Sequence, residues 1–142
     1  MANNLFGGQK ITVYTDGGAR GNPGPAALGV VVGDKEYSEY LGHATNNHAE
    51  YRALIFALKK LKQTLGKDGV KNAEVEIRMD SELVVKQMNG KYKIEQPELQ
   101  ILFLEAWNSK IEFGNLKFVH IPREENKRAD RLVNQELDKI RV

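Results

Sequence analysis

Residues 10–43 have the sequence KITVYTDGGARGNPGPAALGVVVGDKEYSEYLGH, and this stretch carries the pattern that indicates the fold. Its first six residues alternate and are rich in β-branched side chains, which predicts a strand that ends at Asp16. The next eleven residues, 17–27, are rich in glycine and proline and predict a loop. Strands over 28–33 and 36–43 meet around Gly33-Asp34-Lys35 and predict a hairpin. Together these segments predict an antiparallel three-stranded meander.

After residues 45–47 the pattern changes to a helical period. Apolar residues from Ala49 to Leu65 recur at helical spacing, which predicts a helix that Thr45 or an adjacent Asn caps and that Gly66 ends. The remaining predicted elements are a strand over 74–79, a helix over 81–89, a helix over 97–112, a strand over 115–121 and a helix over 124–140. Strands that alternate with helices indicate parallel pairing beside the meander, so we expect an α/β fold with a mixed sheet.

The composition is that of one globular domain. The chain has 142 residues, of which 41% are hydrophobic, and one domain has roughly 150 residues. It contains no cysteine, which excludes disulfides, thiolate zinc sites and cysteine nucleophiles. No apolar stretch is long enough to span a membrane, and the first ten residues lack the features of a signal peptide. We expect a cytoplasmic protein with a flexible tail over 1–8 and a single domain over 9–142.

Two acids occur where apolar strands are expected to end. Asp16 follows the first predicted strand, and Asp80 follows the strand over 74–79. Because binding sites in open α/β sheets form beyond the carboxyl ends of the strands, these side chains would lie together if the strands are neighbours. Each acid alone could instead form a turn or cap a helix.

Two further acids lie on the inward-facing stripes of predicted helices. Glu50 is in helical register with Leu54 and Leu61, and Asp130 is in register with Val133. An unpaired charge that faces a core is costly, so it normally has a compensating cation. Glu50 could simply favour a helix N-terminus, and Asp130 could pair with a neighbouring arginine. Four such carboxylates in a chain without cysteine indicate a hard cation such as Mg²⁺ or Mn²⁺.

Other enzymes with acidic or metal sites fit the sequence less well. A phosphatase with an aspartyl nucleophile needs a second acid two residues after Asp16, where Gly18 stands. The chain has no GxxxxGK[ST] phosphate-binding loop. Its three histidines lack the HExxH spacing of zinc hydrolases and are more typical of surface or strand positions.

Four motifs resemble those of the type 1 ribonuclease H family, and they occur in the family's order. They are YTDGG (14–18) with GNPGP (21–25), TNNHAE (45–50), MDS (79–81) and ENKRAD (125–130). The resemblance extends over about residues 10–140. It implies a five-stranded mixed sheet with helices on both faces and an endonuclease that hydrolyses the RNA strand of RNA/DNA hybrids. Products with 5′-phosphate and 3′-hydroxyl ends are expected, with two Mg²⁺ ions as cofactor and Mn²⁺ as a substitute.

The resemblance also implies roles for the four acids. Asp16 would bridge the two ions, and Asp130 would complete the site of the ion that activates the attacking water. Glu50 and Asp80 would hold the ion that faces the leaving 3′ oxygen. This arrangement agrees with the general chemistry of in-line phosphoryl displacement, in which two cations stabilise the attacking and leaving oxygens.

A second set of residues matches family positions that contact the substrate. Asn22, Asn46 and Asn47 match positions in the minor groove, where the 2′-hydroxyl distinguishes RNA from DNA. Thr45 matches a position that holds a phosphate of the DNA strand. The full expected set is Gly17, Asn22, Thr45, Asn46, Asn47 and Ser81. Turn and cap chemistry is the alternative for these asparagines, and for Asn46 capping and contact can coexist.

The loop before the last acid departs from the family pattern. Many members carry a mobile histidine there, whereas this chain has Arg123 at the position that we expect to be mobile. Arginine cannot act as a base near neutral pH, so we expect Arg123 to orient phosphate or to assist product release. His120, at the end of the preceding predicted strand, is the alternative.

Substrate binding is expected to be weak, salt-sensitive and of low processivity. The net charge is only +2, and the sequence passes almost directly from Gly90 to Pro97, without the basic helix that many bacterial members insert. Residues 91–93 (KYK) form either a small phosphate contact or a solvated turn. We expect no separate hybrid-binding domain, a monomer without membrane association, and duplex RNA as a second candidate substrate.

Three alternative classes compete with a ribonuclease H. The main one is a non-catalytic nucleic-acid-binding module, which the loss of any of the four acids would favour. An ATPase of the actin or sugar-kinase type needs two such domains, for which 142 residues are too few. A domain of a reverse transcriptase is the third.

Overall fold

A mixed five-stranded sheet forms the centre of the computed structural model, which describes residues 9–140. The expected tail over 1–8 and the last two residues of the expected domain lie outside the described residues. The strands are β1 (Lys10–Ala19), β2 (Gly24–Val32), β3 (Lys35–Ala44), β4 (Glu74–Met79) and β5 (Asn115–His120). The helices are α1 (Asn46–Asn72), α2 (Glu82–Met88), α3 (Pro97–Ile111) and α4 (Lys127–Asp138). A 3₁₀ turn, Arg123–Glu125, precedes α4.

The sheet order is β3-β2-β1-β4-β5. The first three strands pair antiparallel, whereas β4 pairs parallel with β1 and β5 pairs parallel with β4. This confirms the predicted meander with two parallel strands beside it. The central position of β1 places Asp16 between the antiparallel and the parallel halves of the sheet.

Helices cover both faces of the sheet, as the family resemblance implies. Side chains of a strand alternate between the faces, so Val30 joins the core beneath α1, α2 and α3, and Val31 packs against Ala129 and Leu132 of α4. Among residues 9–140, no helix combines the length and the apolar character that a membrane span requires.

The predicted end of β1 at Asp16 is wrong. The strand continues to Ala19, and residues 16–19 pair with residues 26–29 of β2, which begins earlier than predicted. The extension gives the glycine-rich backbone a hydrogen-bonded ladder. The parallel pairing with β4, however, ends at Thr15 opposite Met79. Asp16 therefore lies inside a strand, at the point where its neighbour β4 has ended.

Gly66 interrupts α1 where the sequence predicts the end of that helix. It has a non-helical φ of +76°, and a second helical segment continues from there to Asn72. Glycine tolerates this positive φ without the steric cost of a Cβ. The last helix begins at Lys127 rather than at residue 124, because residues 123–125 form the 3₁₀ turn.

Candidate active site

Three carboxylates from different elements converge at the end of the parallel pairing. Asp16 lies in β1, Glu50 in the first turns of α1, and Asp80 directly after β4. Each contributes an oxygen to a group in which the oxygens lie within 4.8 Å of one another. Asp16 is 6% exposed, and the other two are partly buried. The structure thus brings together three of the four acids that the sequence singled out.

The fourth acid, Asp130, lies on α4 and faces the same groove. The groove has a volume of about 440 Å³, and all four acids line it. Asp130 is partly buried, in line with the buried Val133 and Leu137 on α4, as predicted. The other three acids therefore approach Asp16 from both faces of the sheet.

The acid cluster is electrostatically unfavourable without a cation. Burial, followed by the charges of Asp80 and Asp130, raises the pKa of Asp16 from 3.8 to about 8. Burial and then the charge of Asp16 raise the pKa of Glu50 well above its usual value, although the Gly17 N–H and Arg123 oppose this shift. Oxygen-only ligands that repel one another are the donor set that hard divalent cations neutralise. The residues present therefore fit a Mg²⁺ or Mn²⁺ site.

Two glycines allow the helices that carry Glu50 and Asp130 to approach the sheet. A Cβ on Gly17 would lie 2.3 Å from the backbone of Ala49. A Cβ on Gly29, the β2 partner of Asp16, would lie 2.5 Å from the carbonyl oxygen of Ala129. The Gly17 N–H donates to Glu50 Oε1 at 3.1 Å. The sequence analysis missed Gly29, because a glycine within an apolar strand has no distinctive pattern.

Asn134 also lines the groove, and it is a second residue that the sequence analysis missed. Its side-chain amide lies 3.1 Å from the carbonyl oxygen of Asp130 and 3.4 Å from Asp130 Oδ2. Arg20 donates to Asn134 Oδ1 at 3.2 Å and to Asp138 at 2.7 Å. The sequence could have indicated Asn134, because it follows Asp130 by four residues and residues at this spacing are neighbours on a helix.

The expected substrate residues cluster beside the acids, at the start of α1. The Asn46 N–H donates to Asn22 Oδ1 at 2.9 Å, and the Ala19 N–H donates to Asn46 Oδ1 at 2.8 Å. Thr45 caps α1 by accepting the His48 N–H. These bonds join the loop after β1 to the beginning of α1. Turn and cap chemistry is therefore present, and Asn46 also lines the groove.

The other three expected substrate residues have different surroundings. Gly17 lines the groove. Asn47 lies in the first turn of α1 and is partly buried. Ser81 caps α2, and its hydroxyl accepts the Val84 N–H at 3.2 Å. Ser81 directly follows Asp80, so the cap fixes the backbone beside that acid.

Arg123 is closer to the acids than His120 is. Its Nε lies 4.0 Å from Asp80 Oδ2, its side chain is 82% exposed, and it lines the groove. His120 is exposed at the end of β5 and does not line the groove. The segment after α2 contains the exposed Tyr92, which accepts a hydrogen bond from Lys86.

The chain matches a known protein family over most of its length. The family model described as "Reverse transcriptase-like" matches residues 14–136. A bifunctional protein of Mycobacterium tuberculosis is 41% identical over 138 residues, which are 91% of this chain and 36% of that protein. The chain thus spans about a third of that relative. The "Ribonuclease H" of a Sulfurovum species is 32% identical over 94% of this chain and 95% of its own length.

A solved structure supports the same relationship. LC11-RNase H1, solved in complex with an RNA/DNA hybrid, superposes with a TM-score of 0.85 at 54% sequence identity. The superposition covers 91% of this chain and 97% of that one. The shared sheet and the extent of both matches lead to one conclusion. This chain belongs to the type 1 ribonuclease H family.

Proposed function

We propose that this protein is an endonuclease that hydrolyses the RNA strand of RNA/DNA hybrids. The observation that carries the proposal is the convergence of Asp16, Glu50, Asp80 and Asp130 on one open groove in a ribonuclease H fold. The hybrid bound to the similar LC11-RNase H1 supports the substrate class. Retention of all four acids favours a catalyst over a binding module that has kept only the fold.

The four acids hold the divalent cations in this proposal, two Mg²⁺ ions with Mn²⁺ as a substitute. Asp16 is central because it lies between the other three acids, and Asp130 reaches it from the opposite face of the sheet to Glu50. When bound, the cations lower the pKa of an attacking water and stabilise charge on the phosphate oxygens. The carboxylates supply charge and position and do not attack the phosphate. The products carry 5′-phosphate and 3′-hydroxyl ends.

Substrate recognition is assigned to the polar residues at the start of α1. Oδ1 of Asn22 and of Asn46 each accept a backbone N–H, which orients the two amides. Their Nδ2 groups can then donate to the 2′-hydroxyl and base edges of the minor groove, together with Asn47. Gly17 offers its backbone to close approach, and Thr45 and Ser81 contact phosphates beside the caps that they form.

Arg123, rather than His120, acts on the phosphate at the scissile position. Its guanidinium is exposed and reaches Asp80, so it can bind a phosphate oxygen beside the acids. Arg123→Ala is expected to slow turnover, whereas His120→Ala leaves turnover close to the wild-type rate. A normal rate for Arg123→Ala together with a large loss for His120→Ala would reverse this assignment.

The remaining features of the proposed function concern the whole chain. Residues 9–142 act as one ribonuclease H domain, as a monomer in the cytoplasm. Duplex RNA is the second substrate to examine, because its minor groove also displays 2′-hydroxyls.

The experiment that tests the proposal compares four matched, end-labelled substrates: hybrid, duplex RNA, duplex DNA and single-stranded RNA. Each is incubated with Mg²⁺, Mn²⁺ or EDTA, beside an Asp16→Asn control. Internal cuts in the RNA strand of the hybrid, abolished by EDTA and by Asp16→Asn, are expected. Retained hybrid binding without cleavage in either metal would instead indicate a binding module.

A further inference from the structure

Asn126 is a buried polar residue beside the acids for which neither the sequence analysis nor the proposed chemistry has a role. It is 1% exposed and lies between the 3₁₀ turn and α4. Its Nδ2 donates to the carbonyl oxygen of Thr15 at 2.9 Å and lies 3.5 Å from Asp80 Oδ1. One side-chain amide therefore contacts both β1 and the acid that follows β4.

The position of Asn126 connects three of the four acids. Thr15, whose carbonyl it binds, directly precedes Asp16. Its own backbone carbonyl accepts the Asp130 N–H at 3.0 Å, in the first turn of α4. Asn126 thus holds the backbone beside Asp16, the side chain of Asp80 and the helix turn that carries Asp130.

The hydrogen bonding of Asn126 is not what stability alone would select. Among residues 9–140, neither Asn126 Oδ1 nor Thr15 Oγ1, both buried, has a hydrogen-bond partner. A buried polar atom without a hydrogen-bond partner costs stability. Asn126 uses only the Nδ2 side of its amide in hydrogen bonds, so we expect its role to lie in the groups that Nδ2 contacts.

We propose that Asn126 is a positioning residue that fixes Asp16, Asp80 and Asp130 relative to one another and thereby sets the affinity of the cluster for divalent cations. The proposal rests on the proposed function. Donation to Asp80 Oδ1 restrains the rotation of this carboxylate and leaves Oδ2, which lies 4.0 Å from Arg123 Nε, available to a cation. Groups that orient metal-binding side chains in this way commonly change metal affinity or activity by about 10–100-fold when removed.

The test uses two variants and a matched control. Asn126→Leu keeps the branching of the buried side chain without its polar atoms, and Asn126→Ala removes the side chain beyond Cβ. Asn89→Ala is the control, because Asn89 Nδ2 also donates to a strand carbonyl, that of Phe118, at 3.3 Å. Mn²⁺ binding to the protein without nucleic acid is measured by calorimetry. Melting temperature without metal, and kcat and KM on a hybrid with Mg²⁺, are measured in parallel.

For both Asn126 variants we expect Mn²⁺ affinity to fall by about 10-fold or more. Turnover should fall while KM for the hybrid stays near the wild-type value. Asn126→Leu should melt below wild type, because the Thr15 carbonyl loses its donor, but it should stay folded at the assay temperature. Asn89→Ala should match wild type in Mn²⁺ binding and turnover.

Wild-type Mn²⁺ affinity in folded Asn126→Leu would overturn the positioning role, and so would loss of the fold in both variants, which would make Asn126 a structural residue. The proposed function fails separately, if the wild-type protein itself neither binds Mn²⁺ nor cleaves the hybrid.

Discussion

Burial and the charges of Asp80 and Asp130 make the surroundings of Asp16 unfavourable for its ionised form. Its pKa of about 8, against 3.8 when solvated, means that the folded protein holds a proton that the unfolded chain releases. Between these pH values folding binds protons, so the contribution of Asp16 to stability decreases as pH rises. Divalent cations compete with this proton for the same oxygens.

The first prediction concerns the metal-free protein. In EDTA, Asp16→Asn should melt at a higher temperature than wild type at about pH 8, because the amide is neutral in both states. The difference should shrink toward about pH 5, where Asp16 is protonated in the folded protein. Melting curves across this range measure it. A difference that is independent of pH would contradict the raised pKa.

The sequence could predict the four acids because each interrupts an apolar pattern. Asp16 and Asp80 follow apolar strand segments, and Glu50 and Asp130 occupy inward stripes of helices. Gly29 and Asn126 could not be predicted in the same way. The role of Gly29 depends on how closely α4 approaches β2, and that of Asn126 on a carbonyl 111 residues away in the chain. The catalytic and metal-binding assignments of the four acids stay predictions.

At the scale of elements, the close contacts at β1 and β2 hold the two acid-bearing helices. Gly17 lies against the start of α1, and Gly29 lies against α4, on opposite faces of the sheet. Both would place a Cβ within 2.5 Å of a backbone carbonyl oxygen. A Cβ at either position would therefore clash with helix backbone, so the whole helix would have to shift to make room for it.

The second prediction compares three alanine substitutions. Gly17→Ala and Gly29→Ala should each lower the free energy of unfolding by about 1–3 kcal/mol or more, as overpacking does. Gly18→Ala should have little effect on stability, because its Cβ would make ordinary contacts with Val133 Cγ1 at 3.6 Å and Asn46 Oδ1 at 4.0 Å. Urea denaturation measures all three. Equal stabilities across the set would contradict the close packing of the helices.

The third prediction concerns the contact between α1 and α2. The Tyr51 hydroxyl, one residue after Glu50, donates to the buried Gln87 Oε1 at 2.6 Å. Tyr51→Phe leaves this oxygen without its donor and should cost about 1–3 kcal/mol of unfolding free energy. Tyr37→Phe, on the partly buried Tyr37 of β3, is the control. A smaller loss for Tyr51→Phe than for Tyr37→Phe would count against this account.

The sequence predicted the type and order of the elements better than their ends. The alternation in β4 and the helical period in α1 are local signals, and both elements were found. The extension of β1 to Ala19 depends on pairing with β2, which no local pattern of glycines reveals. The 3₁₀ turn before α4 likewise interrupts a segment of helical composition.

At the scale of the whole molecule, the small net charge of +2 leaves affinity for nucleic acid to locally placed cations. Several lysines and arginines of the helices are already paired with acids, such as Arg128 with Glu36 at 3.1 Å. Arg123 lies at the groove itself. Hybrid binding should therefore depend on few phosphate contacts.

The fourth prediction follows from this charge distribution. The affinity of Asp16→Asn protein for a hybrid should fall linearly with salt concentration on logarithmic axes. Adding Arg123→Ala should reduce this slope by about 1, as the loss of one phosphate contact does. Adding Arg128→Ala instead should leave the slope unchanged. Fluorescence anisotropy at several salt concentrations gives the slopes, and equal effects of the two arginines would contradict the assignment.

The most direct test of the four-acid site is the single-turnover rate of RNA-strand cleavage in a hybrid with Mg²⁺. It compares wild type with Asp16→Asn, Glu50→Gln, Asp80→Asn and Asp130→Asn. Glu136→Gln is the control, because Glu136 lies on α4 like Asp130 but does not line the groove. Glu136 accepts hydrogen bonds from Ser38 and Lys139. Each of the four substitutions should lower the rate by about 100-fold or more while hybrid binding persists, and Glu136→Gln should not. A wild-type rate in any of the four would contradict the account.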